Sequence, residues 1–184
     1  VATLQTGDVE SVLTDDFTVS VTASSAHTLS VTGTGNALEL SRGSGTGIAN
    51  DKTGTLSVGE NVTLTVSDKV YLHSGTKIEN AGNFSVKNVS ALSATGITNP
   101  SIVNTGTLTA IESGTLSIPI LTNSGSLTVN GTGEVTVSET LENTGSLTTE
   151  RGMISAGTIT SSGTNATISL GAGSLSVTGS DSSS

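Results

Sequence analysis

The sequence predicts an all-β fold, a parallel β-helix or β-solenoid of roughly seven to nine short coils. Its composition is the first reason: of 184 residues, 63 are Ser or Thr and 23 are Gly, yet 33% are apolar. The apolar residues recur at regular short intervals, and proline, common in disordered linkers, occurs only at Pro100 and Pro119. This pattern indicates ordered β-structure and not a disordered polar chain.

A repeated phrase is the second reason. Its form is an apolar residue, Asn and Gly at fixed spacing, then an apolar residue between hydroxyl residues, as in LTNSGSLTV from residue 121. Repeats spaced about 20 residues apart and built of short alternating strands are typical of a solenoid that grows coil by coil. The anchoring asparagines, separated by 24, 19 and 20 residues, are Asn80, Asn104, Asn123 and Asn143.

The segment that follows Asn123 illustrates a predicted coil. It contains the short strands SLTV and EVTV, a turn NGTG between them, and SETLEN leading to the next anchor. Alternation places Leu127, Val129, Val135 and Val137 on the inward face. Side chains at equivalent positions of neighbouring coils then stack about 4.8 Å apart and form the core.

The fixed Asn and Gly predict a sharp corner in each coil. Gly, and to a lesser extent Asn, tolerates the positive φ that we expect at such a corner. An Asn at the same corner of every coil also places its amide within reach of the coils on both sides. We therefore expect a structural hydrogen-bonded ladder, whose members are Asn80, Asn104, Asn123 and Asn143.

The chain divides into three predicted regions. Residues 1–44 lack the Asn and Gly phrase but contain the alternating segments FTVSVTA and HTLSVTG, which favour irregular first coils or an N-terminal cap. Residues 45–178 form the repeat β-helix. Residues 179–184, GSDSSS, are predicted to be a flexible tail.

Charge and hydropathy exclude two classes of partner. The formal net charge is −9 with only six basic residues, so we expect no binding to nucleic acid. The longest apolar run is IPIL, far shorter than the roughly 20 residues of a membrane span, so no membrane insertion of this segment is expected. Cysteine is absent, which excludes disulfides and thiolate metal sites.

The repeated phrase, rich in Thr, Ser, Gly and Asn, resembles the passenger regions of autotransporter and filamentous-haemagglutinin-like adhesins over residues 45–178. That resemblance implies a right-handed β-helix in a secreted or cell-surface bacterial protein. It also implies a non-enzymatic role, as an adhesin or stalk segment in attachment or self-association. The expected partners are a host surface, a glycan or a second copy, and no cofactor is expected.

A polysaccharide-active β-helix enzyme is one alternative. Such chemistry needs clustered carboxylates with a basic residue. Residues 81–184 contain one Asp and five Glu but only one Lys, one Arg and no His, so basic partners are scarce there and the candidates lie in the N-terminal half, at Asp15, Asp16, His27 and His73. Tyr71 and His73 alternate on one strand face and form a possible small binding patch. We expect no catalytic residue and no metal site.

An ice-binding β-solenoid is the other alternative. A triplet with an inward apolar residue between two outward hydroxyls follows each corner Gly, which predicts two surface columns about 7 Å apart. This grid is similar to the T-x-T array of β-solenoid antifreeze proteins, although Ser often replaces Thr and Asn83 interrupts a column. The predicted columns contain Thr107, Thr109, Thr115, Ser117, Ser126, Thr128, Ser146, Thr148, Thr158 and Thr160.

The longest interval between anchors predicts an inserted loop. It contains VKNVSALSATGITNP, residues 86–100, and loops inserted between regular elements commonly carry specificity. We expect a binding feature there, with candidate residues Lys87, Asn88, Ser93, Thr95 and Asn99.

Overall fold

The chain folds into one continuous parallel β-structure. The computed structural model describes residues 2–4, 17–33, 35, 37–42 and 52–179. Every strand pairing among these residues is parallel. The strands are β1 (Ala2–Leu4), β2 (Phe17–Val21), β3 (His27–Val31), β4 (Ala37–Leu40), β5 (Gly54–Val58), β6 (Val62–His73), β7 (Thr76–Asn80), β8 (Asn83–Leu92), β9 (Ser101–Asn104), β10 (Thr107–Ala110), β11 (Thr115–Asn123), β12 (Ser126–Val129), β13 (Glu134–Asn143), β14 (Ser146–Thr149), β15 (Met153–Ser161), β16 (Thr167–Ser169) and β17 (Ser174–Val177).

The register of the strands defines a solenoid of about six turns with three faces. Face A stacks β2, β5, β7, β9 and the C-terminal halves of β11, β13 and β15. Face B stacks β3, the N-terminal halves of β6 and β8, β10, β12, β14 and β16. Face C stacks β1, β4, the second halves of β6 and β8, the first halves of β11, β13 and β15, and β17. The predicted all-β solenoid is confirmed, and the coil number is close to the predicted one.

The core consists of apolar columns, one residue from each coil. Leu127, Val129, Val135 and Val137 are all fully buried, because strand alternation turns them inward. On face B the central column runs through Leu64, Phe84, Leu108, Leu127 and Leu147 in register. Burying each such side chain contributes about 1.5–3 kcal/mol, so the stack stabilises the solenoid without an aromatic-rich core.

An asparagine ladder follows the corner between faces A and B. Asn80 Nδ2 donates to Asn104 Oδ1 at 2.8 Å, Asn104 Nδ2 to Asn123 Oδ1 at 2.7 Å, and Asn123 Nδ2 to Asn143 Oδ1 at 2.8 Å. Each amide also donates to a backbone carbonyl of the next coil, as Asn80 does to Thr107 O at 2.9 Å. The four side chains are at most 1% exposed, so the ladder supplies the hydrogen bonds that water cannot make with the polar groups of this buried corner.

The corner glycines serve a different purpose from the predicted one. The predicted positive φ at the corner was wrong. None of the ladder asparagines has a positive φ, and neither do the glycines that follow them, Gly82, Gly106, Gly125 and Gly145. The reason for glycine is close stacking instead. A Cβ on Gly106 would lie 2.2 Å from Gly82 O, and one on Gly125 would lie 2.1 Å from Gly106 O. Only a residue without a side chain lets successive corners approach this closely.

The N-terminal region contains a regular coil. Within the predicted region 1–44, β2, β3 and β4 occupy faces A, B and C and stack in register on β5 and β6. Residues 43–51, where the repeat region was predicted to begin, lie outside the described residues, as does the predicted tail beyond Gly179.

Candidate contact surface

Face B presents two outward columns made almost entirely of hydroxyl side chains. Seven successive strands contribute two outward positions each, and 13 of these 14 positions are Ser or Thr, Asn83 being the exception. The first column is Thr28, Thr63, Asn83, Thr107, Ser126, Ser146 and Thr167, and the second is Ser30, Thr65, Ser85, Thr109, Thr128, Thr148 and Ser169. We call these 14 residues the hydroxyl face.

The hydroxyl face is regular and uncharged. All 14 side chains are half-exposed or exposed. Six intervals of about 4.8 Å give the columns a length of about 29 Å, and the two columns stand about 7 Å apart on alternate residues of each strand. A hydroxyl can both donate and accept a hydrogen bond, so the face offers a dense array of neutral polar groups at fixed spacing.

The other two faces carry charged and bulky side chains at their outward positions. Face A carries Lys77 and Glu79, which form an ion pair at 2.6 Å, and Glu142. Face C carries Glu39, Lys69, Tyr71, His73, Glu134 and Met153. Among the described outward positions, the absence of charge is therefore a property of face B and not of the whole solenoid.

The predicted pair of columns was correct for six residues and wrong for four. Thr107, Thr109, Ser126, Thr128, Ser146 and Thr148 lie on the hydroxyl face. Thr115 and Ser117 lie instead on face C, and Thr158 and Thr160 lie on face A. The reason is that the hydroxyl–apolar–hydroxyl triplet occurs on every face, because every strand alternates between core and solvent.

Comparison of the chain with protein-family models, curated proteins and solved structures finds no match. The candidate surface therefore has to be interpreted from its own chemistry. Within the described parts of the chain, no three His, Cys, Asp or Glu side chains come together in a group that would hold a metal ion. No helix in those parts is long and apolar enough to cross a membrane.

The predicted binding loop is shorter than the sequence suggested. Residues 86–92 belong to β8, so the prediction that Lys87 and Asn88 lie in a loop was wrong. Lys87 Nζ pairs with Glu112 Oε2 at 3.1 Å. Asn88 Nδ2 donates to Asp68 O, and its Oδ1 accepts from Thr115 N, both at 3.1 Å. These contacts hold neighbouring coils together, which is a structural role.

The remaining loop, residues 93–100, is exposed at Ser93 and Thr95 and lies between faces C and A. Ala94 N donates to Ser74 Oγ on one side, and Asn99 Nδ2 donates to Glu139 Oε1 on the other. Because Glu139 follows a face C strand two coils further along, the loop lies along the corner and does not shield the hydroxyl face.

A small groove lies at the corner between faces B and C. Its volume is about 250 Å³, and its lining includes Ser67, Asp68, Lys87 and Glu112. Lys87 and Glu112 neutralise each other there, and Asp68 Oδ2 accepts a hydrogen bond from Gly35 N at 2.6 Å. The charges of this groove are therefore satisfied by the chain itself.

The two candidate histidines lie on different faces, His27 on face B and His73 on face C. Asp15 and Asp16 lie outside the described residues. His27 Nδ1 lies 3.0 Å from Ser25 O on exposed β3, while His73 Nε2 lies 2.6 Å from Glu39 Oε1 on face C.

Seven hydroxyl members of the hydroxyl face, contributed by β3, β6, β8 and β16, are not among the ten column residues that the sequence analysis names. The alternating segments HTLSVTG, residues 27–33, and NVTLTVS, residues 61–67, contain four of them, since each has the same triplet. Only the strand register reveals that these triplets share a face. The seven are Thr28, Ser30, Thr63, Thr65, Ser85, Thr167 and Ser169.

Proposed function

We propose that this segment is a non-enzymatic adhesive or stalk element of an extracellular or cell-surface bacterial protein, and that the hydroxyl face is its contact surface. The observation that carries the proposal is the run of 14 outward positions with 13 hydroxyls and no charge. A glycan-coated cell surface is the partner whose chemistry fits this face best. Sugars also present closely spaced neutral hydroxyls that donate and accept hydrogen bonds.

The energetics of such a contact favour many weak bonds over a few strong ones. Burying a neutral hydroxyl against a polar partner avoids the large desolvation penalty of a buried charge. The backbone ladders already fix the positions of all 14 residues, so little backbone entropy is lost on binding. Single hydroxyl contacts then contribute little each, and affinity comes from the length of the face.

An attachment assay tests the proposal. Beads coated with the protein are expected to attach to glycan-bearing cells well above the level of uncoated beads, and enzymatic removal of surface glycans should abolish the excess. Attachment equal to that of uncoated beads would refute the adhesive role. Clumping of coated beads without cells would instead identify a second copy of the chain as the partner.

Ice binding is the second candidate, and one observation favours it. The central part of the hydroxyl face, β10, β12 and β14, has equivalent residues in successive strands with no register break. A regular grid of this kind is suited to ordering water at fixed intervals. Thermal hysteresis with faceted ice crystals would favour this function, and it should disappear when Thr128 is replaced by Tyr. Rounded, unimpeded ice growth would exclude it.

A further inference from the structure

Face C carries a cluster that combines an aromatic ring with charged side chains. Its centre is Tyr71, which is half-exposed and pairs in register with Glu39 on one neighbouring strand and Ser90 on the other. Lys69 and His73 flank Tyr71 at alternate positions of the same strand and point outward with it. An aromatic ring, a carboxylate, an imidazole, an ammonium and a hydroxyl thus share one patch, the Tyr71 patch.

The side chains of the Tyr71 patch restrain one another. Lys69 Nζ lies 5.3 Å from the centroid of the Tyr71 ring, within the range of a cation–π contact. His73 Nε2 and Glu39 Oε1 are 2.6 Å apart, with the carboxylate as acceptor, and both side chains keep about a third of their surface exposed. The Glu39 carboxylate, on the strand next to Tyr71, is therefore held by His73, while its second oxygen retains capacity to accept hydrogen bonds.

From this arrangement we propose that the Tyr71 patch binds the pyranose ring of a sugar. A pyranose has an apolar face of C–H groups, suited to the side of the Tyr71 ring that Lys69 does not cover, and a rim of hydroxyls, suited to acceptors and donors around that ring. Glu39 accepts from sugar hydroxyls, Ser90 donates and accepts, and Lys69 donates. A few polar groups at fixed positions around an apolar platform are what give such a site its orientation and specificity.

The inference deepens the proposed adhesive role, on which it rests for its biological use, by naming a ligand class at a second surface. The Tyr71 patch lies on face C and the hydroxyl face lies on face B, so substitutions in one leave the other intact. The two proposals are therefore separable by experiment.

The composition of the chain supplies a site-specific probe. The protein contains one Tyr and no Trp, so its tyrosine emission reports on Tyr71 alone. The protein is titrated with the methyl glycosides of glucose, galactose, mannose, N-acetylglucosamine and N-acetylneuraminic acid. At least one glycoside is expected to change the emission saturably. Absence of a saturable change with all five would overturn the inference.

Two matched pairs of variants locate the binding. Glu39→Ala should weaken binding of the responding glycoside about tenfold or more, the loss expected for a hydrogen bond to a charged group. Glu134→Ala is the control, because Glu134 is a face C carboxylate that accepts from Thr136 Oγ1 at 2.8 Å. In saturation-transfer NMR, Tyr71→Ala should lose the glycoside signal, while Thr136→Ala, in the same outward column, should keep it.

The outcomes separate this inference from the proposed function. If both members of a pair behave alike while their melting temperatures match the wild type, the sugar does not bind at Tyr71 and the inference fails. If beads attach to cells but no glycoside changes the emission, the adhesive role stands and the inference fails. If the glycoside binds at Tyr71 but beads do not attach, the inference stands and the adhesive role fails.

Discussion

Val58 and Asn80 occupy the same position in adjacent coils, and at this junction the asparagine ladder ends against an apolar side chain. Asn80 Oδ1 is buried and accepts no hydrogen bond, because valine has no donor, whereas the Oδ1 of Asn104, Asn123 and Asn143 each accepts from the preceding amide. An unsatisfied buried acceptor costs about 1–3 kcal/mol. The first member of the ladder is thus its weakest point.

Replacing Val58 by Asn should extend the ladder by one residue, and the added hydrogen bond should offset part of the stability lost with the valine side chain. In Val58→Asn the new amide is placed to donate to Asn80 Oδ1. The control is Val66→Asn, because Val66 is also fully buried but its new amide would face an apolar column. We expect Val66→Asn to lower the free energy of unfolding by about 2 kcal/mol more than Val58→Asn. Urea denaturation measures both, and equal losses would show that the Asn80 carbonyl does not accept the added bond.

Breaking the ladder in its middle should be costly. Asn123→Ala removes donation to Asn143 Oδ1 and Ser146 O and leaves Asn104 Nδ2 without one acceptor. We expect a loss of about 2–4 kcal/mol in the free energy of unfolding. Asn83→Ala, an exposed asparagine on the hydroxyl face, is the control and should change stability by less than about 0.5 kcal/mol. Similar effects of the two substitutions would contradict a stabilising ladder.

The corner glycines should tolerate no side chain, for a steric reason that does not depend on φ. Gly106→Ala places Cβ 2.2 Å from Gly82 O, and backbone atoms have little freedom to move away, so we expect a loss of at least about 3 kcal/mol. Gly96 is the control, because its φ is +80° and no atom lies within 4 Å of the position that a Cβ would occupy. Gly96→Ala should cost only about 1–2 kcal/mol, the strain of a left-handed alanine. Thermal unfolding of both variants tests the ranking, and a reversed order would refute it.

Attachment through an uncharged face should resist salt. Raising ionic strength from about 0.15 M to about 1 M shortens the screening length from about 8 Å to about 3 Å and weakens contacts between exposed charges. The hydroxyl face has no charged member, so bead attachment should change less than about twofold across that range. A steep fall in attachment would indicate that charged side chains of face A or face C carry the contact.

The sequence predicted the solenoid and the ladder because both depend on residues that recur once in every coil. Asn104, Asn123 and Asn143 are spaced by one coil each, so their alignment follows from the repeat itself. The face on which a triplet lies was not predictable in the same way. Thr107 follows Gly106 and Thr115 follows Gly114 in nearly identical phrases, yet they lie on faces B and C.

Two other features, the strand at 86–92 and the reason for the corner glycines, were not predicted from the sequence. The sequence predicts a loop at 86–92 because the alternation of apolar and polar residues breaks between Val86 and Val89, where the register between β6 and β8 also shifts. The contact that requires glycine at the corners involves carbonyls one coil away. Local conformational preferences do not predict a contact between residues about 20 positions apart in the sequence.

The most direct test of the central claim is bead attachment with charges placed on different faces. The double variant Thr109→Lys with Thr148→Lys puts two charges on the hydroxyl face, two coils apart, and Thr122→Lys with Thr158→Lys does the same on face A. Both variants change the net charge equally. We predict that the first loses about tenfold or more in attachment, because two charges must be desolvated at the contact, and that the second stays within about twofold of the wild type. Equal attachment by the two variants would show that the hydroxyl face is not the contact surface.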